Sequence, residues 1–109
     1  MIKTPEYKVV KETIPTEVEH NSILNIVTQD VTSYTHGFHK YPAKFIPQIP
    51  KWAIKKYLNG NKDKTVLDPF CGSGTTIVES VLAGYNAIGI DIDPLSVLIS
   101  KVKTTRINE

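Results

Sequence analysis

The chain has 109 residues, with 40% hydrophobic and 22% charged side chains, the balance of a folded globular domain rather than a disordered segment. A net charge of +2 does not announce nucleic-acid binding by itself, and a single cysteine, Cys71, excludes an internal disulfide or a cysteine-based zinc cluster. No apolar run approaches the ~18 residues that span a membrane and no apolar signal core opens the chain, so the expected compartment is a reducing cytoplasm.

Residues 1–19 mix charges of both signs, carry Pro5 and Pro15, and alternate weakly at Tyr7 and Val9. They read as an arm or an edge strand. Asn21 and Ser22 offer a cap ahead of Ile23, Leu24, Ile26 and Val27, a run short enough for a helical turn or a strand alike.

Residues 34–50 carry three prolines and a glycine, which makes a loop leading into a helix, with Pro47 and Pro50 suited to its first turn. Four aromatic residues and two histidines crowd this loop. Phe38, Tyr41 and Phe45 suit packing over a sheet edge as well as lining a site. His36 and His39 have no cysteine or acid beside them in sequence, so neither a metal centre nor a general base is expected there.

An amphipathic helix follows over residues 48–58, with Ile49, Trp52, Ala53, Lys56 and Tyr57 along one side and Trp52 expected in the core. Asn59 and Gly60 tolerate the left-handed geometry that ends it. Lysines 40, 44, 51, 55, 56, 62 and 64 form one basic cluster, and Lys101, Lys103 and Arg106 form another. Either is able to contact phosphates, but a solvated helix face accounts for Lys55 and Lys56.

Residues 65–91 organise the rest. Val66 and Leu67 begin a strand that stops at Asp68 and Pro69, because proline has no N–H for a sheet ladder. Gly72 and Gly74 permit a tight turn and close approach to the backbone. Ile77, Val78, Val81 and Leu82 recur at helical spacing, and Ala83-Gly84 stops the helix. Residues 87–90, with Gly89 inside, predict a second buried-type strand ending on Asp91. Asp93 and Pro94 then suit the N-cap and first position of a helix whose apolar stripe is Leu95, Leu98, Ile99 and Val102.

A strand, a glycine turn, a helix N-terminus and a second strand ending in an acid suit a nucleoside-containing ligand. The turn and helix dipole favour an anionic group, and an acid about 20 residues on can accept from both ribose hydroxyls. A dinucleotide fingerprint would need glycine where Ile77 stands, and no lysine follows the turn to make a P-loop.

The run Asp68-Pro69-Phe70-Cys71-Gly72-Ser73-Gly74-Thr75-Thr76, followed by Gly89-Ile90-Asp91-Ile92-Asp93-Pro94, resembles the cofactor motifs of the DNA amino-methyltransferases. These enzymes methylate cytosine N4 or adenine N6. The segment His39, Pro42, Ala43, Lys44, Phe45 and Pro47 resembles their loop on the methionine side of the cofactor.

The resemblance implies S-adenosyl-L-methionine as cofactor, DNA as partner and a place in restriction-modification. It implies an α/β, partial Rossmann-like S-adenosylmethionine-dependent methyltransferase fold with an incomplete sheet. The arm would occupy residues 1–33 and the cofactor-binding part residues 34–109. Asp68 would order the turn and approach the cofactor's amino group, with Pro69 beside it. Phe70 would cover the cofactor, and Gly72, Ser73 and Gly74 would offer N–H groups to its carboxylate. Thr75 and Thr76 would cap the helix, Asp91 would hold the ribose, Ile92 would face the adenine, and Lys44 and Phe45 would close the methionine side. Cys71 reads as a small buried filler rather than a nucleophile.

The family's catalytic motif, a polar residue followed by Pro-Pro and an aromatic, is absent, because the chain has no Pro-Pro dipeptide. No catalytic residue and no metal ligand is therefore assigned. Two central strands also leave open sheet edges and uncovered apolar helix faces. The expectation is a part completed by another polypeptide, or by a homodimer that mends the sheet. A cofactor-binding module that never catalyses and an RNA methyltransferase part would share these motifs.

Overall fold

A computed structural model of the chain describes residues 7–11, 17–21, 23–27, 34–37 and 45–106. Strand β1 (Tyr7–Lys11) pairs in parallel with β2 (Ile23–Val27), Tyr7 opposite Ile23 and Lys11 opposite Val27. The strand alternative is thus realised for the short apolar run, and Asn21 enters it through a left-handed turn (φ 63°). A 3-10 helix, Tyr34–Gly37, follows. Phe38, His39, Tyr41, Pro42, Ala43 and Lys44, on which the loop reading rests, lie outside the described residues.

Helix α1 (Gln48–Leu58) has the predicted bounds and ends on Asn59 in the left-handed region (φ 43°). The face it buries differs from expectation. Pro47, Pro50 and Ile54 are buried, whereas Trp52 is half-buried and Tyr57 exposed. Trp52 instead meets Tyr57 edge-on, with centroids 6.3 Å apart, under the Lys56 ammonium at 5.1 Å. An aromatic pair with a cation above it gains its energy at a wet surface, so the core needs only the smaller Pro and Ile side chains.

Strand β3 (Thr65–Asp68), helix α2 (Thr75–Leu82) and strand β4 (Asn86–Gly89) form a parallel crossover, Thr65 opposite Asn86 and Asp68 opposite Gly89. The second strand begins one residue before the predicted start, because Asn86 fills the register opposite Thr65. Helix α2 packs against α1, α3, both strands and the 3-10 helix, and buries Ile77 and Val78 beside Cys71, Ile54 and Tyr85. Gly89 lies where α2 approaches most closely. A Cβ there would stand 3.1 Å from both Cys71 and Ile77.

Two expectations of burial fail here. Leu67, Ile88 and Ile90 are exposed, because α2 covers only the sheet face carrying Val66 and Ala87. Helix α3 (Pro94–Thr104) is also turned over relative to the predicted stripe. Leu95, Leu98 and Val102 are exposed, and Ser96, Ser100 and Lys103 are buried. The reason is the neighbour: the inner side of α3 meets the glycine turn, whose carbonyls need donors rather than methyl groups.

Candidate functional site

The site lies where β3 and β4 end together. Ile90 donates its N–H to the Asp68 carbonyl at 2.9 Å, and Cys71 donates its N–H to the Ile90 carbonyl at 2.9 Å. These bonds carry the pairing one step beyond the strands and pin the turn to the end of β4. Asp68 orders the turn as expected, with Oδ1 accepting from the Phe70 N–H at 3.2 Å.

Asp91 forms the opposite wall. Its Oδ2 accepts from the Gly72 N–H at 2.8 Å and its Oδ1 accepts from the Asp93 N–H at 2.9 Å. The Asp93 amide first and the Gly72 amide second hold the Asp91 carboxyl below the usual carboxylate range. A carboxylate has about four lone-pair sites, so these bonds leave acceptor capacity for a ligand hydroxyl. Asp93 caps α3 as predicted, with Oδ1 accepting from the Leu95 N–H at 3.0 Å.

Two expected contributions to the turn take another form. The Gly72 N–H serves Asp91, and the Gly74 N–H serves the Cys71 carbonyl at 2.7 Å, so neither is aimed at a ligand. Gly74 itself is the N-cap of α2 (φ 81°), and no side chain caps that helix; Thr75 and Thr76 do not serve as caps. Gly74 has no side chain to offer, and the turn places both threonines inside the helix. The first-turn N–H groups of α2, unmet by any cap, stand at the positive end of the helix dipole.

Two apolar side chains close to these acids in sequence stand in the open: Phe70, two residues after Asp68, is 88% exposed, and Ile92, next after Asp91, is 100% exposed. Bare side chains of this size beside convergent polar groups are the composition of a small-molecule site. Phe45 is exposed, Pro69 lies at the outer surface of the turn, and Ser73 is buried beneath it. Lys44 lies outside the described residues.

Sequence reasoning missed the underside of the turn. Ser100 Oγ donates to the Gly72 carbonyl at 2.9 Å, and Lys103 Nζ donates to the Ser73 carbonyl at 3.0 Å. Ser100 also fixes Gly74, since a Cβ at that position would lie 2.6 Å from Ser100 Oγ. A signal was present: Ser96, Ser100 and Lys103 follow helical spacing on the face opposite Leu95, Leu98 and Val102. The histidine reading needs a similar correction. His36 has no acid near it in sequence, yet its Nε2 lies 2.8 Å from Glu79 Oε1 on α2, 43 residues on, with both side chains buried.

Among the described residues no group of three or more His, Cys, Asp or Glu is placed to hold a metal, and no helix is long and apolar enough to cross a membrane.

Comparison with known proteins gives a consistent result. The chain matches the family model described as DNA methylase over residues 2–101. It is 46% identical over 72 residues to Type II methyltransferase M.MjaII of Methanocaldococcus jannaschii, covering 66% of this chain and 13% of that protein. It is 40% identical over 90 residues to Type II methyltransferase M.MvaI of Kocuria varians, covering 82% of this chain and 20% of that protein. A tRNA (guanine(10)-N2)-dimethyltransferase of Methanothermobacter thermautotrophicus is 37% identical over 54 residues, which is 49% of this chain and 16% of that protein. The chain therefore spans at most a fifth of the length of these relatives. No solved structure gives a significant match. With the family profile spanning nearly all of its residues, the chain belongs to the DNA methylase family.

Proposed function

We propose that the chain is the S-adenosylmethionine-binding portion of a DNA methyltransferase that acts on an exocyclic amine, cytosine N4 or adenine N6. The observation that carries this reading is the Gly72–Asp91 hydrogen bond, which locks the glycine turn to the acid two residues beyond β4. Support comes also from the uncapped N-terminus of α2 and from the exposed Phe70 and Ile92 side chains close by in sequence. In this reading Asp91 accepts from the ribose hydroxyls, and Ile92 and Phe70 flank the adenine and the thioether. Asp68 approaches the amino group and the N-terminus of α2 meets the carboxylate. Lys44 and Phe45 close the methionine side.

When bound, the cofactor supplies an electrophilic methyl group. The chain's own residues hold and aim it; they do not activate the amine. Transfer to a base also requires a pocket for the flipped base and acceptors for the amine protons. With no Pro-Pro motif among these 109 residues, those groups must come from outside them. Residues 1–33 serve as an arm and residues 34–109 as the cofactor-binding part.

Calorimetric titration with S-adenosylhomocysteine tests the binding role. The expected result is one site per chain in the wild type and a large loss in Asp91→Ala. Unchanged affinity in that variant removes Asp91 from the site. Labelled methyl transfer, measured with and without polypeptides bearing a polar-Pro-Pro-aromatic motif, tests the need for a complementing part. Transfer by this chain alone refutes it.

A second reading keeps the site and changes the acceptor to RNA, on the strength of the partial match to a tRNA guanine-N2 enzyme. Offering DNA and tRNA to the same complemented preparation decides between them.

A further inference from the structure

The inner face of α3 bears on the glycine turn in a way the cofactor motif alone does not disclose. Lys103 is 5% exposed, although it lies in the last turn of α3, where lysine ordinarily reaches solvent. Its ammonium sits 3.0 Å from the Ser73 carbonyl, and one turn earlier Ser100 Oγ sits 2.9 Å from the Gly72 carbonyl. Two successive carbonyls of the turn are thus drawn to one side.

Trans peptide geometry converts that into a direction for the amides. The structure contains no cis bond among the described residues, so each C=O is antiparallel to the N–H of its own peptide unit. A Gly72 carbonyl held by Ser100 sends the Ser73 N–H away from α3. A Ser73 carbonyl held by Lys103 likewise sends the Gly74 N–H away from α3, and that N–H is found on the Cys71 carbonyl. Gly74 lies close against Ser100: a Cβ there would meet Ser100 Cα at 3.0 Å.

The same element is anchored to the ribose side. Asp93 caps α3 and donates its own N–H to Asp91, while Ser96 Oγ donates to Asp93 Oδ2 at 3.1 Å. One helix and its cap therefore bond both the glycine turn and Asp91.

We propose that Lys103 and Ser100 are positioning residues for the cofactor's amino-acid carboxylate: from α3 they hold the Gly72 and Ser73 carbonyls and so set the orientation of the Gly72–Gly74 turn and the direction of the Ser73 N–H. This rests on the cofactor reading given above.

The test compares two ligands on the full chain. S-adenosylhomocysteine and 5′-methylthioadenosine share the adenosine and the thioether, and only the first carries the carboxylate. Lys103→Met is expected to weaken S-adenosylhomocysteine about tenfold and to leave methylthioadenosine within about twofold. Ser100→Ala moves the ratio in the same direction by a smaller factor, and it carries the comparison if Lys103→Met does not fold. Equal losses for both ligands, or no loss for either, overturn the inference and leave the cofactor reading intact. A wild-type chain that binds neither ligand overturns the cofactor reading, and the inference with it.

Discussion

Asp91 shows how one carboxylate shapes a turn and still has capacity for a ligand. Both oxygens accept backbone N–H bonds, which lower its pKa from the usual value of 3.8. The linkage sign follows. A folded pKa below the unfolded one means that the stabilisation is complete above about pH 4 and is lost as pH falls through the depressed folded value. Asp91→Asn replaces one acceptor with an NH2 group that faces a backbone N–H. Urea unfolding is therefore expected to show the variant less stable at pH 7, with the gap to wild type closing as the pH is lowered past 4 and toward 2. A gap that does not change with pH would mean that Asp91 does not carry this acid dependence.

Gly74 is the other residue on which the turn depends. It combines φ 81° with backbone contact from Ser100, so Gly74→Ala meets both a left-handed penalty and an overlap. A loss of about 2 kcal/mol or more in denaturant unfolding is expected, whereas Gly60→Ala, which meets nothing within 4 Å, should lose only the conformational part.

At the scale of elements, α2 is the hub and the 3-10 helix meets it through a buried polar contact. His36 is 0% exposed and reaches Glu79 across 43 residues of sequence. Removing one partner leaves the other buried with one hydrogen bond fewer, a loss of about 1–3 kcal/mol. Glu79→Ala is expected to fall in that range. In a double-mutant cycle with His36→Ala the two effects should not add, with a coupling of about 0.5–3 kcal/mol. Additive losses would show that the contact contributes nothing of its own. The start of α3 is simpler. Asp93→Ala removes an N-cap and the acceptor of Ser96, with an expected loss of about 1 kcal/mol by chemical denaturation.

For the molecule as a whole, the open surfaces matter most. Leu67, Ile88 and Ile90 form an exposed sheet face, and Leu95, Leu98 and Val102 form an exposed helix stripe. Contiguous apolar surface of this kind drives association in water. Sedimentation of the chain is therefore expected to show concentration-dependent self-association. Leu98→Glu should shift it toward monomer with little loss of folding stability, because Leu98 is more than half exposed. A monomer at all concentrations in the wild type would contradict this.

The residues by themselves determined the local structure from residue 48 onward. Helix bounds at 48–58 and 75–82, the glycine turn, the Asn59 stop and the Asp93 cap follow from short-range rules: periodicity, proline and glycine stereochemistry, and side chains that bond the adjacent backbone. The run from Asp68 to Thr76 was legible for the same reason, since its parts lie close together in sequence. What the tertiary structure decided is which face of each element meets which neighbour. Periodicity predicts that a stripe exists but not what lies opposite it. Helix α3 packs polar side inward because a turn of unsatisfied carbonyls waits there, and His36 finds Glu79 only because the chain folds the 3-10 helix onto α2. Those long-range pairings have no local signal, and only folding brings the residues together.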